Sequence, residues 1–283
     1  MSTGTERRRR SPADFAGTAD RISAAVESVI KGKSDVVRLI LTVLLAEGHV
    51  LIEDVPGVGK TMLAKALARS IDCSVKRIQF TPDLLPSDIT GVSAYVRQTS
   101  EFEFKPATEA QRDRFTARIS MGYPPVSAEL DMLDEHSTSS PLDDLIPVVD
   151  AAEVRALIRT VREVHISAPL RQYVINLVTA TRAHPGLRLG ASPRATLHLA
   201  RACRAYAALD GRDYVIPDDV QALAVPLLAH RLLLASAAQY STPGQVVADL
   251  VQRLPLAEDP LPWLDRDEHE ARLASLSGVL PRW

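Results

Sequence analysis

The sequence predicts a fold of two parts, an α/β domain followed by an all-helical domain. An apolar run at 49–52 leads into a glycine-rich loop, and a helical pattern follows at 62–71. Farther along, apolar residues recur at helical spacing throughout 142–234. A strand, a loop and a helix in succession are typical of an α/β sheet, whereas the later pattern is typical of packed helices.

Two amphipathic helices are predicted ahead of the loop, at 15–31 and 34–47. After the loop helix, 75–80 has the composition of a second strand. The runs 92–97 and 101–105 alternate in polarity and predict a hairpin whose tip is 98–100.

The later part of the chain shows apolar stripes at helical spacing, and Pro217 followed by two aspartates is a typical helix start. The stripes are Leu170, Tyr173, Val174 and Leu177; Leu199, Ala202, Cys203 and Tyr206; and Val220, Leu223, Ala224 and Leu227. We therefore predict a disordered tail at 1–14, an α/β domain at 15–122, a helical domain at 123–254 and a C-terminal tail at 255–283.

The composition excludes several classes of protein. The 283 residues are 46% hydrophobic and 24% charged, with a formal net charge of −2, which gives no reason to expect a nucleic-acid partner. The longest apolar stretch, 36–46, is too short to span a bilayer. Cys73 and Cys203 fit no metal spacing, so we expect reduced thiols and a cytoplasmic protein without membrane insertion.

The glycine-rich loop ends in Gly57, Val58, Gly59, Lys60 and Thr61, a sequence suited to holding a nucleoside triphosphate. Glycines permit positive φ and close approach of the backbone, and N–H groups at the helix start favour an anion. Lysine reaches the β and γ oxygens, and the threonine hydroxyl is a magnesium ligand. We predict ATP and Mg²⁺ as cofactors, with Thr61 as the metal ligand. The predicted cofactor-binding residues are Asp54, Pro56, Gly57, Val58, Gly59, Lys60, Thr61 and Met62.

Asp54 departs from the usual loop pattern, which has glycine at this position. Aspartate tolerates unusual backbone angles better than most residues, so we expect the turn to form. The alternative is an ordinary strand-to-helix turn that happens to end in Gly-Lys-Thr.

Four segments together resemble the MoxR family of AAA+ ATPases. The segment 48–61 carries the phosphate loop, and 77–91 is close to a family signature. The segment 109–115 resembles the one that carries the arginine finger, and 190–195 resembles the sensor-2 start of the lid domain. The resemblance covers roughly 15–255 in order, and it implies a P-loop NTPase sheet followed by a helical lid.

The resemblance also implies roles for two arginines. Arg194 would contact the γ-phosphate of the nucleotide in its own subunit, from a helix capped by Ser192 and Pro193. Arg114 would reach the site of a neighbouring subunit, with Arg112 as the alternative finger. A finger acting between subunits requires a homo-oligomeric ring, usually a hexamer. In this family the work is chaperone-like remodelling or metal insertion, on client proteins that often carry a von Willebrand factor A domain.

One part of the family pattern is missing from this sequence. In the family, the hairpin is followed by a Walker B strand ending in Asp-Glu, by a helix and by a sensor-1 strand. Here 106–108 joins the hairpin directly to the finger segment, and 131–135 offers acidic residues that follow no predicted strand. In that family the loop strand lies between the two missing strands, so we expect it to lose its hydrogen-bonding partners.

Two main hypotheses follow. The chain is a ring-forming ATPase, or it is a subunit that binds ATP without hydrolysing it and regulates a ring. The missing Asp-Glu pair removes the predicted base for water, which favours binding without turnover. A third hypothesis, a DNA-loading protein, is weakened by the lack of a basic patch.

Overall fold

The computed structural model describes residues 12–76, 92–96, 101–105, 112–129, 141–236, 240 and 242–255. The tails predicted at 1–14 and 255–283 and the acidic segment 131–135 lie almost wholly outside the described residues. So does the family-signature segment 77–91. Their predictions, and the proposed domain boundary at 123, stay predictions.

The α/β part is built on a pair of parallel strands with helices against them. Its elements are α1 (Pro12–Glu27), α2 (Ser34–Leu45), β1 (Val50–Ile52), α3 (Lys60–Ser70) and β4 (Ala117–Ile119). Strand β1 pairs in parallel with β4, with Val50 opposite Ala117 and Ile52 opposite Ile119. The glycine-rich loop therefore follows a paired strand and leads into a helix, as the sequence predicts.

Helix α1 ends earlier than predicted, at Glu27 rather than at residue 31. The N–H of Val29 bonds to the carbonyl of Val26, so the chain tightens into turns after the last helical residue. The apolar faces of α1 and α2 are buried, with Phe15, Ile22 and Val37 each 1% exposed. Their burial fixes the position of β1 and of the loop that follows it.

The expectation that β1 has lost its partners is wrong, because β4 supplies one edge. Strand β4, which follows the finger segment, is hydrogen-bonded to β1. The backbone N–H of Glu53 extends this pairing to the carbonyl of Ile119 at 3.0 Å. The end of β1 that leads into the loop is therefore held by hydrogen bonds.

The predicted hairpin is confirmed. Strands β2 (Val92–Val96) and β3 (Glu101–Lys105) pair antiparallel, with Val92 opposite Lys105 and Val96 opposite Glu101. The predicted hairpin tip lies outside the described residues. The strand predicted at 75–80 is not found at Val75 and Lys76, and its remaining positions are not described.

The second part is mostly helical, as predicted, with one small sheet that the prediction omits. Strand β5 (Leu187–Leu189) pairs antiparallel with β6 (Leu233–Leu234), between helices. The helices are α4 (Ala151–Glu163), α5 (Ala168–Ala183), α6 (Pro193–Leu209), α7 (Pro217–Leu228) and α8 (Pro243–Arg253), and a 3₁₀ turn at Ala229–Arg231 follows α7.

Local sequence explains where these helices begin. Asp150 accepts the N–H of Glu153 at 2.7 Å, and the Glu153 carboxylate accepts the N–H of Asp150, which forms a capping box for α4. Pro217 starts α7, where a missing N–H costs nothing. All the residues of the stripes predicted for α5 and α7 are buried. Of the four stripe residues of α6, three are buried and Tyr206 is partly buried.

Contacts between side chains join the two parts. Arg38 of α2 donates to the carboxylate of Asp210 at 2.6 Å and lies 4.3 Å above the ring of Tyr206. Arg162 of α4 donates to Glu47 at 2.7 Å. Among the described residues, no helix is long and apolar enough to cross a membrane.

Candidate functional site

The loop after β1 requires glycine at two positions. Gly57 has φ of 91° and Gly59 has φ of 89°, a region that residues with a Cβ rarely adopt. Gly59 immediately precedes Lys60, the first residue of α3. The backbone conformation thus matches the sequence prediction for these two residues.

The start of α3 presents backbone donors without partners inside the helix. Its first internal bond runs from the N–H of Leu63 to the carbonyl of Gly59 at 2.9 Å. The N–H groups ahead of Leu63 therefore have no intrahelical acceptor, and the helix dipole adds partial positive charge there. Such a terminus is suited to an anion such as phosphate.

Lys60 and Thr61 stand at this helix start. The Lys60 ammonium donates to the carbonyl of Asp54 at 2.5 Å and to the carbonyl of Val55 at 3.2 Å, so it lies over the loop. Thr61 is exposed at the loop. A cation over the loop, two left-handed glycines and free N–H groups together fit a nucleotide's phosphates. For Mg²⁺ the Thr61 hydroxyl is the ligand predicted in this loop.

Asp54 has a different role from the one predicted. Its φ is not positive, so tolerance of unusual backbone angles does not explain the residue. Its carboxylate instead accepts bonds from the N–H of Gly122 at 2.6 Å, from the Ser120 hydroxyl at 2.9 Å and from the N–H of Val55 at 2.8 Å. These bonds, with Gly122 first, lower the pKa of Asp54 to about 2. The side chain therefore ties the loop to the segment after β4, and its predicted part in cofactor binding stays a prediction.

The remaining predicted loop residues divide by burial. Pro56 is exposed, whereas Val58 and Met62 are partly buried and pack against the core. Gly59 lies over Met121 and Ile30, whose side chains would be 3.8 and 3.9 Å from a Cβ placed there. The loop therefore rests on an apolar support.

A second concave region lies at the opposite end of β1. This cleft, which we call the arginine cleft, has a volume of about 470 Å³. Its lining residues are Glu47, Gly48, His49, Arg114, Thr116, Arg194 and His198. The structure brings together the two arginines that the sequence predicts as catalytic, and it places Arg114 in the cleft but not Arg112.

The position of Arg194 bears on its predicted contact with the γ-phosphate of its own subunit, and that contact stays a prediction. His49 precedes β1 and lines the cleft, whereas Asp54 and Lys60 follow β1 at its other end. Arg194 thus faces the same way as Arg114, away from the phosphate loop of its own chain. The arrangement does not favour contact with the γ-phosphate in its own subunit.

Asp113 connects the finger segment to the lid. Its carboxylate accepts the Ser192 hydroxyl at 2.8 Å and Nη1 of Arg231 at 2.6 Å, and Arg194 lies 3.7 Å away. Ser192 occupies the N-cap position of α6 but makes no capping bond with its side chain. Ser192 therefore has the predicted N-cap position, but the expectation that its side chain caps the helix is wrong, because the hydroxyl donates to Asp113.

Arg231 is a structural centre that sequence reasoning missed. Its side chain is 1% exposed, and Nη2 donates to the Phe115 carbonyl at 2.5 Å and to Nδ1 of His198 at 2.8 Å. Nε donates to the carbonyl of Leu227 at 2.9 Å. The available signal was an arginine within an apolar helical run, since a buried charge must be paired.

Comparisons with known proteins agree with this architecture. Residues 49–111 match the family model described as "ATPase family associated with various cellular activities (AAA)", and residues 179–253 match the model described as "AAA lid domain". An uncharacterized protein of Bacillus subtilis, YeaC, is 39% identical, with 76% of this chain and 87% of that protein covered. The chaperone MoxR1 of Mycobacterium tuberculosis is 28% identical, with 85% of this chain and 83% of that protein covered.

A solved structure shares the fold. The crystal structure of a presumed ATPase from Cytophaga hutchinsonii superimposes with a TM-score of 0.75 at 25% identity. The match covers 87% of this chain and 97% of that one. The phosphate loop and the arginine cleft therefore belong to a fold whose family model and solved neighbour carry ATPase names.

Proposed function

Because this chain belongs to the MoxR family of AAA+ ATPases, we propose that it binds Mg²⁺–ATP at its phosphate loop and acts in a ring of subunits. The observation that carries the proposal is the loop itself. Gly57 and Gly59 adopt positive φ, and Lys60 lies over the loop at the start of α3. These features create a site for a triphosphate out of backbone donors and one ammonium group.

Each loop residue has a definite task in this proposal. The N–H groups at the start of α3 hold the phosphates, and Lys60 exchanges the carbonyls of Asp54 and Val55 for phosphate oxygens. The Thr61 hydroxyl would hold a magnesium ion, which would supply positive charge beside the phosphates. Asp54 keeps the loop attached to the residues after β4.

The arginine cleft provides the second half of the site. Arg114 and Arg194 line it together, at the end of β1 that lies away from the phosphate loop. We assign both arginines to the nucleotide held by a neighbouring subunit, where positive charge stabilises the transferring phosphoryl group. A site divided between subunits in this way requires a head-to-tail interface, which closes into a ring. A hexamer is the ring that the family resemblance implies.

The work of such a ring is remodelling of other proteins. The relative MoxR1 is named as a chaperone, which supports a chaperone-like role for this chain. Client proteins with a von Willebrand factor A domain, and the insertion of metals into clients, are the specific forms we propose.

A second function is favoured by one observation in the sequence. No apolar strand ending in Asp-Glu lies between the hairpin and the finger segment. The alignment with YeaC spans 277 positions, but it includes only 76% of the 283 residues of this chain. The aligned residues of this chain are therefore fewer than the aligned positions, and some positions of YeaC have no counterpart here. A chain that lacks the base for water would bind nucleotide and regulate a ring without turnover.

One sample decides between the two functions. A fluorescent ATP analogue measures affinity, and phosphate release measures turnover, for the wild type beside Lys60→Ala. We expect binding that depends on Lys60. Turnover that also depends on Lys60 identifies the enzyme, and binding without turnover identifies the regulatory subunit. If Lys60→Ala bound the ATP analogue as tightly as the wild type, the assignment of the phosphate loop as the nucleotide site would be contradicted.

A further inference from the structure

His198 lines the arginine cleft together with Arg114 and Arg194, the residues assigned to the neighbour's phosphates. It lies on α6, one helical turn after Arg194, so both side chains project from the same face of that helix. Its imidazole is only partly buried, so part of the ring is open to the cleft. The position allows a third side chain to reach an anion held there.

The contact with Arg231 fixes how this imidazole carries its proton. Nη2 of Arg231 lies 2.8 Å from Nδ1 of His198. A guanidinium has only donors, so Nδ1 must be the acceptor and cannot hold a proton in this contact. In the neutral ring the proton is then on Nε2, the other ring nitrogen.

We propose that His198 is a third phosphate-contacting residue of the arginine cleft, donating through Nε2–H, and that Arg231 is the residue that positions it. The inference rests on the proposed function, because the phosphates are those of a nucleotide in a neighbouring subunit. It adds a neutral donor to two cations, and it assigns Arg231 a task that no similarity to relatives supplies.

The surroundings of His198 keep the ring neutral, which the proposal requires. Burial, and next the charge of Arg231, lower the pKa of His198 to about 4. At neutral pH the ring therefore donates from one nitrogen and accepts at the other. A protonated ring would lose the acceptor and would meet the Arg231 guanidinium with like charge.

Arg231 is itself rigidly held, so it can define the position of another side chain. It bonds to the carboxylate of Asp113 at 2.6 Å, to the carbonyl of Phe115 at 2.5 Å and to the carbonyl of Leu227 at 2.9 Å. Phe115 and Asp113 flank Arg114. One guanidinium thus holds the backbone beside Arg114 and the ring of His198, and it sets the spacing between the cleft's donors.

The test compares two amides at position 198 in the full-length chain. The amide of His198→Gln reaches the place of Nε2 and keeps a donor there, whereas the shorter amide of His198→Asn reaches only the place of Nδ1. Sedimentation velocity measures the concentration of ATPγS at which half of the protein assembles. We expect His198→Asn to raise this concentration about tenfold, and His198→Gln to stay within about threefold of the wild type.

Arg231→Lys tests the positioning role through the imidazole itself. Nitrogen chemical shifts of His198, identified by their loss in His198→Gln, report which ring nitrogen carries the proton. We expect the Nε2–H form in the wild type and a mixture of both forms in Arg231→Lys. A wild-type ring protonated at Nδ1 would overturn the inference.

The controls separate this inference from the proposed function. Arg114→Ala and Lys60→Ala each remove a residue of the divided site and should abolish assembly by ATPγS. If they do so while His198→Asn matches the wild type, the inference fails and the proposed function stands. If neither control changes assembly, or the wild type does not assemble with ATPγS, both fail.

Discussion

The backbone N–H of Gly122 donates to the carboxylate of Asp54 at 2.6 Å, which attaches the phosphate loop to the segment after β4. The Ser120 hydroxyl donates to the same carboxylate at 2.9 Å. Glycine, the usual residue at position 54, could make neither bond. The departure from the loop pattern therefore adds a connection between the loop and its neighbouring strand.

Replacing Asp54 should loosen this loop without unfolding the protein. We expect Asp54→Ala to lower the unfolding temperature by a few degrees. We also expect it to weaken the binding of an ATP analogue several-fold, because the lost carboxylate holds the phosphate loop against Ser120 and Gly122. Differential scanning calorimetry and fluorescence titration measure the two effects. The control is Glu53→Gln, which removes an exposed pair with Arg118 and should change stability little.

The pH dependence of stability gives a second test of Asp54. Its folded-state pKa of about 2 lies below the value of about 4 in an unfolded chain. The folded state therefore binds this proton less readily, and the stabilising contribution is complete above about pH 4 and disappears as the pH falls toward 2. Urea titrations measure the free energy of unfolding of the wild type and of Asp54→Asn. The difference between these two free energies should be constant from pH 7 to 5 and shrink below pH 4. A difference that grows on acidification would contradict this assignment.

The loop glycines should resist replacement for reasons of backbone conformation alone. Among the described residues, no atom beyond Gly57 and its two chain neighbours lies within 4 Å of a Cβ built at Gly57, so space is available, yet φ is 91°. We expect Gly57→Ala and Gly59→Ala each to cost about 1 to 2 kcal/mol. Gly17 is the matched control, since it lies inside α1 with open space around it, and Gly17→Ala should stabilise by about 0.5 to 1 kcal/mol. Urea unfolding measures all three.

The lid contains a buried ion pair whose loss should be severe. Arg212 donates to Asp219 from both terminal nitrogens, at 2.6 and 2.8 Å, with side chains 8% and 2% exposed. Asp219→Asn removes the buried carboxylate, leaves Arg212 paired with the Asp210 carboxylate and the Tyr214 carbonyl, and should cost about 3 to 5 kcal/mol. Asp218→Asn, one residue earlier in the same helical turn, should cost under about 1 kcal/mol. Equal losses for the two variants in chemical denaturation would contradict the importance of the pair.

Much of this arrangement could be predicted from local sequence. Gly57, Gly59 and Lys60 follow an apolar run and precede a helical pattern, and local geometry alone decides their conformation. The direction faced by Arg194 could not be predicted, because it depends on how α6 packs beside Asp113. Arg231 lies 118 residues from Asp113, and no local pattern reports a contact over that separation. The pairing of β1 with β4 likewise joins segments whose sequences do not show which edge each occupies.

Mixing two inactive variants tests whether the site is divided between subunits. Lys60→Ala keeps an intact arginine cleft but cannot hold the triphosphate, and Arg114→Ala keeps the phosphate loop but lacks one cation of the cleft. Alone, neither variant should assemble with ATPγS. Mixed, they form one complete interface, from the loop of Arg114→Ala and the cleft of Lys60→Ala. The opposite pairing has neither part.

Assembly in the mixture should therefore stop at a dimer containing one copy of each variant, whereas the wild type continues to larger rings. Sedimentation velocity with one variant fluorescently labelled resolves these species. The labelled chain should appear in the dimer only when the other variant and ATPγS are both present. If both arginines acted on the nucleotide of their own chain, Arg114→Ala would have a damaged site of its own, and the mixture would stay monomeric because no partner could repair it.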